Sequence, residues 1–316
     1  MEKKALYLPY SQYLKEKYGE KVYKLPINLP VTCPNRDGSL GKDGCIFCGE
    51  MGAGNEALSN LLSVEEQLAM NMATIRKKYK AKKFIAYFQN FSNTYLPFPD
   101  FCQAIRSACQ EDVVEIAIAT RPDCIGEEYL NFLKEIQDQG REITIELGLQ
   151  TVNYHTLQRI NRGHSLAEFI DAVLAVHRAG FEVCAHMILN LSWDDRLDVV
   201  EGAKILSALR VEQVKLHALN IIKGTALAEL YLQGRIELQS VEEYMERAIL
   251  FLEYLDPRIA IQRLIGRAPE KDTLVANWDT SWWKIRDDIE RIMSERGTYQ
   301  GKAWDYLGGR ALKFLK

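Results

Sequence analysis

Six times between Val22 and Ile221 a short apolar run gives way to a helical pattern, at a spacing of roughly thirty residues. The runs are VYKLPINL (22–29), KFIAYFQ (83–89), VVEIAIAT (113–120), EITIELGLQ (142–150), EVCAHMIL (182–189) and QVKLHALNI (213–221). Between them, Ser63–Lys80 opens with the capping-box pair Ser63 and Glu66 and keeps helical apolar spacing. Asp100–Gln110, Glu127–Gln139, Ser165–Ala179 and Asp194–Leu209 are helical, and Gly140 and Gly180 stop the second and third of these. Alternation of this kind predicts a parallel sheet with crossover helices. The runs are apolar on both faces, as strands covered on both sides must be. Six units are too few for a closed eight-fold barrel. The expected fold is therefore α/β, a partial, open (β/α)6 TIM-like barrel over residues 1–224. Beyond Thr225 the pattern turns mainly helical, apart from RIAIQRLIGRAP (258–269), which reads as a last strand. Residues 225–316 are expected to form a C-terminal extension that binds substrate.

Composition narrows the class. Of the 316 residues 47% are apolar and 26% charged, as in an ordinary globular protein. No run approaches the roughly 18 apolar residues of a membrane span, and MEKKALYLPYSQYLKEKYGEK lacks the apolar core of a secretory signal. The expectation is a cytoplasmic protein with no membrane contact and reduced thiols. Seven cysteines, an odd number, also argue against a closed disulfide set. The net charge of −3 is unevenly spread: residues 257–316 hold 12 Lys/Arg against 8 Asp/Glu, and the rest hold 28 against 35. A basic tail on an acidic body suits a polyanionic partner, or is simply a solvated helix surface.

Three of the cysteines, Cys33, Cys45 and Cys48, fall in TCPNRDGSLGKDGCIFCG (32–49), directly after the first expected strand. A structural zinc site needs four ligands, and the next Cys or His is Cys102. An iron–sulfur cluster also normally takes four thiolates; three leave one iron open for a substrate or cofactor. Pro34, Gly38, Gly41 and Gly44 would give a flexible loop able to wrap a cluster, and Phe47 could shield it. A β/α fold places its chemistry at the C-terminal ends of its strands, where this loop begins.

With SQYLKEKYGEKVYKLP, YFQNFSNTY, ATRPDC, ELGLQT, INRGH and KLHALNIIKGT in order along the chain, the sequence resembles radical SAM enzymes of the YhcC/YtqA type. The eleven-residue spacer between Cys33 and Cys45 is similar to the long spacers of Elongator-type domains, where most radical SAM proteins have a shorter one. The resemblance implies a [4Fe–4S] cluster on Cys33, Cys45 and Cys48, S-adenosyl-L-methionine (SAM) at the open iron, and a flavodoxin or ferredoxin as electron donor. It also implies a tRNA partner, through similarity to the wobble-uridine modifying MnmL group, which takes 5-carboxymethylaminomethyl-uridine to 5-aminomethyl-uridine. Action on a small metabolite, or a metal-containing nucleic-acid-binding or redox-sensing module without turnover, are the alternatives.

Polar groups at strand ends are the candidate SAM contacts: Gln89, Thr120, Glu146, Gln150, Arg162 and His186. The resemblance implies ribose contact for Gln150, the methionyl carboxylate for Arg162, and a ribose-ligand position for His186. The Gly-Gly-Glu of many relatives is replaced by YFQNFSNTY, so backbone around Gln89–Phe91 would receive the amino group. Asn190-Leu191-Ser192 stands where many have Gly-Leu-Pro. Plainer readings stand beside these: Glu146 as partner of a core arginine, Cys102, Cys109 and Cys184 as small core residues, Cys124 as a quenching thiol or nothing more, and the C-terminal tryptophans as packing or as base-stacking platforms.

Overall fold

The computed structural model describes residues 5–49, 57–267 and 272–315. Ala268 and Pro269, the end of the RIAIQRLIGRAP stretch, lie outside the described residues. Among the described residues nine strands run in chain order: β1 (Val22–Ile27), β2 (Lys83–Phe88), β3 (Val113–Thr120), β4 (Glu142–Gln150), β5 (Glu182–Ile188), β6 (Gln213–His217), β7 (Ile221–Ile222), β8 (Ala260–Arg263) and β9 (Thr273–Val275). Seven form one parallel sheet in the order β1-β2-β3-β4-β5-β6-β8, curled into a half-barrel. The expected six strands are there, and the RIAIQRLIGRAP stretch supplies a seventh beside β6.

Two strands end earlier than the apolar runs suggest. β1 stops at Ile27 because Gln67 takes the next peptide for itself: its Oε1 accepts from Asn28 N and its Nε2 donates to Asn28 O. β6 stops at His217, and Asn190 Oδ1 accepts from Leu219 N at 2.7 Å. The expected continuation to Ile221 instead forms β7, which pairs antiparallel with β9 outside the main sheet.

Alternation along each strand decides which face meets what. Phe84, Ala86 and Phe88 of β2, Ile116 and Ile118 of β3, and Ile143, Ile145, Leu147 and Leu149 of β4 enter the main apolar core. Helices α2 (Val64–Tyr79), α3 (Phe98–Ala108), α4 (Glu127–Asp138), α6 (Leu166–Arg178), α7 (Arg196–Leu209) and α9 (Val241–Tyr254) supply residues to the same core, numbered with α1 (Tyr10–Tyr18), α5 (Tyr154–Arg159), α8 (Ala226–Leu232) and α10 (Trp282–Glu295) in chain order. The capping box of α2 is present, with Ser63 Oγ accepting from Glu66 N and Glu66 Oε2 accepting from Ser63 N. Among the described residues no helix is long and apolar enough to cross a membrane.

The other face of the sheet behaves differently along its length. On β2 and β3 it is mostly apolar (Ile85, Tyr87, Ala117, Ala119) and packs against Leu14 of α1, with the buried Glu115 as the exception, bonded by Thr144. On β4 to β6 the same face carries Thr144, Glu146 and Gly148, then Cys184 and His186, then Gln213, Lys215 and His217. Helix α1 is tied to this side by Tyr13 and Lys17 on Glu182 and by Tyr18 on Glu115. The segment before it bridges Pro9 to Ile261, and Leu8 O accepts from Ile261 N, so this segment covers the outer edge of β8.

The loop after β2 is shaped by one amide. Asn93 Nδ2 donates to Phe88 O, Asn90 O and Ala119 O at 3.0, 3.0 and 2.9 Å, holding YFQNFSNTY against the end of β3. Each such bond is worth about 1 kcal/mol net, and stranding buried carbonyls costs more. With two amide hydrogens shared among three carbonyls, Asn93→Ala is expected to destabilise the chain by about 2 kcal/mol in urea unfolding, whereas an Asn93→Ala chain as stable as the wild type would remove the amide from this role.

Candidate active site

The concave face encloses a cavity of about 420 Å³ at the C-terminal ends of the strands. Cys33, Cys45, Cys48, Gln89, Thr120, Glu146, Gln150, Arg162 and His186 all line it, so the cluster and SAM candidates from the sequence meet in one place. The site has two ends of distinct chemistry.

At the upper end lie the three cysteines, each facing a different guanidinium. Arg36 Nη1 lies 3.6 Å from Cys48 Sγ, Arg121 Nη1 3.8 Å from Cys33 Sγ, and Arg162 Nη1 3.6 Å from Cys45 Sγ. Burial pushes the Cys48 thiol up and the neighbouring Cys45 adds to it, against the pull of Arg36. Three arginines beside three sulfurs would offset the negative charge of bound thiolates. Among the described residues the one group of three Cys, His, Asp or Glu ligand atoms within 4.8 Å of one another is Glu146, Cys184 and His186. The loop sulfurs are spread wider than one ion needs, which suits a multi-iron cluster and not a single zinc. Three thiols without a fourth, three facing cations and an Arg162 Nε buried without a partner fit a cluster with an open iron.

The cysteine loop is not free in the way its glycines suggest. Asn35 Nδ2 donates to Asn161 O at 2.6 Å, and Asn161 Nδ2 donates back to Gly44 O at 2.7 Å. Ile46 N donates to Ile160 O. These bonds clamp the loop to the INRGH segment that carries Arg162. Pro34 O accepts from both Leu40 N and Gly41 N, closing the long spacer on itself.

The ends of the strands set the remaining groups. Gln150 closes β4 in the left-handed region at φ +74°. Arg162 Nη2 donates to Gly148 O at 2.7 Å, and a Cβ at Gly148 would come within 2.8 Å of that nitrogen and 2.7 Å of Gln150 Nε2. Only glycine allows both side chains to lie this close to the strand. His164 Nε2 lies 3.1 Å from Gly148 O, and burial with the Arg162 charge pulls its pKa down to about 3. Thr120 Oγ1 bonds Thr94 Oγ1 at 2.6 Å. Gln89 lines the cavity, and its backbone N donates to Ile27 O, joining the ends of β2 and β1.

The floor of the cavity is ionic. The buried Glu146 carboxylate meets Lys24 of β1, Lys215 of β6 at 2.6 Å and His186 of β5 at 2.9 Å, with Gln262 of β8 at 3.3 Å. The expected core arginine is thus a pair of lysines. Burial alone would raise the Glu146 pKa, but Lys215 and Lys24 outweigh it and hold the carboxyl well below its usual range. Burial lowers His186 to about 4 despite its bond to Glu146, so the ring is neutral near pH 7. The Tyr87 ring lies between the two ammoniums, 4.3 Å from Lys24 and 4.2 Å from Lys215.

Several participants went unread in the sequence. Arg36 and Arg121 stand inside quoted motifs, TCPNRDG and ATRPDC, and their charge beside the cysteines was the available signal. Lys24, Lys215 and Arg263 are charges inside otherwise apolar runs, a pattern that marks the inner face of a barrel. Cys102 and Cys184 are buried, the latter beside Glu146. Cys124 is not among the lining residues, and burial pushes its thiol up to about 12. Trp278 packs against Tyr244 and donates to Gln239 O, whereas Trp282 and Trp283 are exposed.

Residues 27–203 match the Radical SAM superfamily model, and residues 211–295 match the Radical_SAM C-terminal domain. The uncharacterized protein YtqA of Bacillus subtilis is 33% identical over 93% of this chain and 92% of its own length. The tRNA uridine(34) acetyltransferase of Methanocaldococcus jannaschii is 26% identical over 46% of this chain and 26% of its own. Among solved structures, the archaeal Methanocaldococcus infernus Elp3 superposes with a TM-score of 0.68 at 16% identity, over 88% of this chain and 64% of that one, and so shares the fold. The chain is a YhcC/YtqA-type member of the radical SAM superfamily, whose cofactors are a [4Fe–4S] cluster and SAM.

Proposed function

We propose that Cys33, Cys45 and Cys48 hold the cluster and that this chain acts on the substituent of a tRNA wobble uridine, converting 5-carboxymethylaminomethyl-uridine to 5-aminomethyl-uridine. The observation that carries the cluster assignment is the convergence of three cysteines and three arginines at one end of the cavity. When bound, the two cofactors supply one-electron cleavage of the SAM sulfonium and a 5′-deoxyadenosyl radical that takes a hydrogen atom from an unreactive C–H. The residues of this chain position and enclose that chemistry. Arg162 offers its guanidinium to the methionyl carboxylate, held in place by Gly148 O. Gln150 and Thr120 end neighbouring strands on the ribose side, and Gln89 with the backbone to Phe91 receives the amino group. Glu146 fixes His186, whose neutral ring faces the same cavity. Phe47 and Phe91 contribute apolar walls that keep water from the radical. The electron comes from a flavodoxin- or ferredoxin-type donor.

The tRNA assignment is supported by the partial likeness to a tRNA uridine(34) acetyltransferase and by the C-terminal surface. There Trp282 and Trp283 are exposed, Arg286 lies 5.6 Å from the Trp282 ring, and Lys and Arg outnumber acids. Residues 225–316 are accordingly assigned to substrate binding, while β8 from the same stretch extends the barrel sheet beside β6.

Three outcomes are expected. Anaerobically reconstituted protein should be brown and form 5′-deoxyadenosine from SAM with reductant. Cys33→Ala, Cys45→Ala and Cys48→Ala should each lose both properties, while Cys102→Ala retains them; a Cys48→Ala protein that still cleaves SAM would overturn the ligand set. Nucleoside mass spectrometry of tRNA from a strain lacking the gene should show 5-carboxymethylaminomethyl-uridine accumulating, and an unchanged wobble profile would rule out this substrate. Binding of the purified protein to tRNA should weaken steeply as salt rises.

A further inference from the structure

The floor of the cavity holds more positive charge than it neutralises. Lys24, Lys215 and Arg263 face one carboxylate, Glu146, while burial keeps His186 and His217 neutral near pH 7. Lys24 and Lys215 are both spent on Glu146. Arg263 is not: its Nη2 lies 2.9 Å from the uncharged His217 ring, its Nε is buried without a hydrogen-bond partner, and among the described residues no carboxylate pairs with it. Lys215 feels the surplus, since burial together with Lys24 and Arg263 lowers it to about 8 even against the pull of Glu146.

The guanidinium is held where it is. His217 is stacked on His186 at 5.2 Å, and His186 is bonded to Glu146, so a continuous line of side chains runs from the Glu146 anchor to Arg263. Gly266 faces the other side, where an added Cβ would lie 3.2 Å from Arg263 Cζ. A cation fixed on a cavity wall with no protein anion is a site for an anion from outside. The same three residues do not make a metal site of Glu146, Cys184 and His186, because two ammoniums already occupy that carboxylate.

We propose that Arg263, backed by Lys215 and His217, is a subsite for a carboxylate of the substrate. It deepens the function proposed above and rests on it only for the identity of the substrate, whose side chain ends in a carboxymethyl group. Lys24 and Lys215 are committed to Glu146, so the single charge of Arg263 matches a singly charged carboxylate and leaves the second charge of a phosphate unmatched. Arg162 lies by Cys45, leaving the SAM carboxylate and the substrate carboxylate to opposite ends of one cavity.

The test needs no tRNA. Sarcosine carries the secondary amine and carboxylate of that side chain, and sarcosinamide replaces the carboxylate by a neutral amide. Binding of each to unreduced, cluster-reconstituted protein with SAM is followed by saturation-transfer-difference NMR. Sarcosine is expected to bind and sarcosinamide not. Arg263→Gln should weaken sarcosine by about tenfold, the scale of one charge-assisted contact. Arg263→Lys should retain most of the affinity, and Gly266→Val, which crowds the guanidinium without removing its charge, should weaken it. Equal binding of the two ligands, sarcosine binding unaffected in Arg263→Gln, or inorganic phosphate competing as well as sarcosine would each overturn the subsite. So would an equal loss of SAM affinity in Arg263→Gln, which would assign the guanidinium to the cofactor. An unchanged wobble profile with intact sarcosine binding would sink the tRNA assignment and leave the subsite standing.

Discussion

The Glu146 carboxylate is the point from which the concave side of the sheet is organised. An open half-barrel has two edges, β1 and β8, that no hydrogen-bond ladder connects. Glu146, on the central strand β4, is bonded by Lys24 from β1, His186 from β5, Lys215 from β6 and Gln262 from β8. Lys24 Nζ also reaches Gln262 Oε1 at 3.2 Å, so the first and last strands meet directly. Desolvating a carboxylate costs several kcal/mol, and one counter-ion seldom repays it. Two ammoniums and two further donors do, and the pKa of Glu146 falls accordingly. The curvature of the sheet and the size of the cavity both depend on these bonds staying made.

That network also explains the division of the strands. Their outer faces need only be apolar, and they are, which is why strand and helix positions could be read from period and propensity alone. β3 and β4 run as their apolar stretches indicate, from Val113 to Thr120 and Glu142 to Gln150. The inner face gives a weaker signal. Lys24 in VYKLPI, Lys215 in QVKLH and Arg263 in AIQR each interrupt an apolar run, but their partners lie 122, 69 and 46 residues away along the chain. No local pattern encodes such a pairing. The same holds for Arg121 beside Cys33 and Arg162 beside Cys45, whose motifs could be read but not their meeting. The ends of β1 and β6 were misplaced for a related reason: a buried glutamine and a buried asparagine, both distant in sequence, take over the next peptide groups.

The cavity is cationic at both ends, by different means. Near the cysteines the arginines are matched by sulfur and by Asp123, which Arg121 holds at 2.6 Å. Near the floor the matching anion serves two lysines and leaves Arg263 over. A ligand set of cationic sulfonium and anionic thiolate-bound cluster would settle the upper end and leave the lower one still positive. A carboxylate would be drawn to that surplus, whereas a group bearing only positive charge would be repelled by it.

The strand that carries Arg263 comes from beyond residue 224. β8 pairs with β6, and its far side is covered by the Pro9 bridge to Ile261. Gln262 and Arg263 line the cavity from this strand, next to residues supplied by β1 and β4. The C-terminal part of the chain therefore does two jobs with one element. It extends the sheet past β6, whose outer edge would otherwise expose unpaired N–H and C=O groups. It also adds the one guanidinium on the floor that is left for a ligand. The proposed cluster and SAM contacts Cys33, Cys45, Cys48, Gln89, Thr120, Gln150 and Arg162 lie at the ends of β1 to β4 or in the segments after them. The proposed carboxylate subsite sits instead on β8, at the opposite edge of the sheet from β1, so the substrate's charge is matched by an element separate from those contacts.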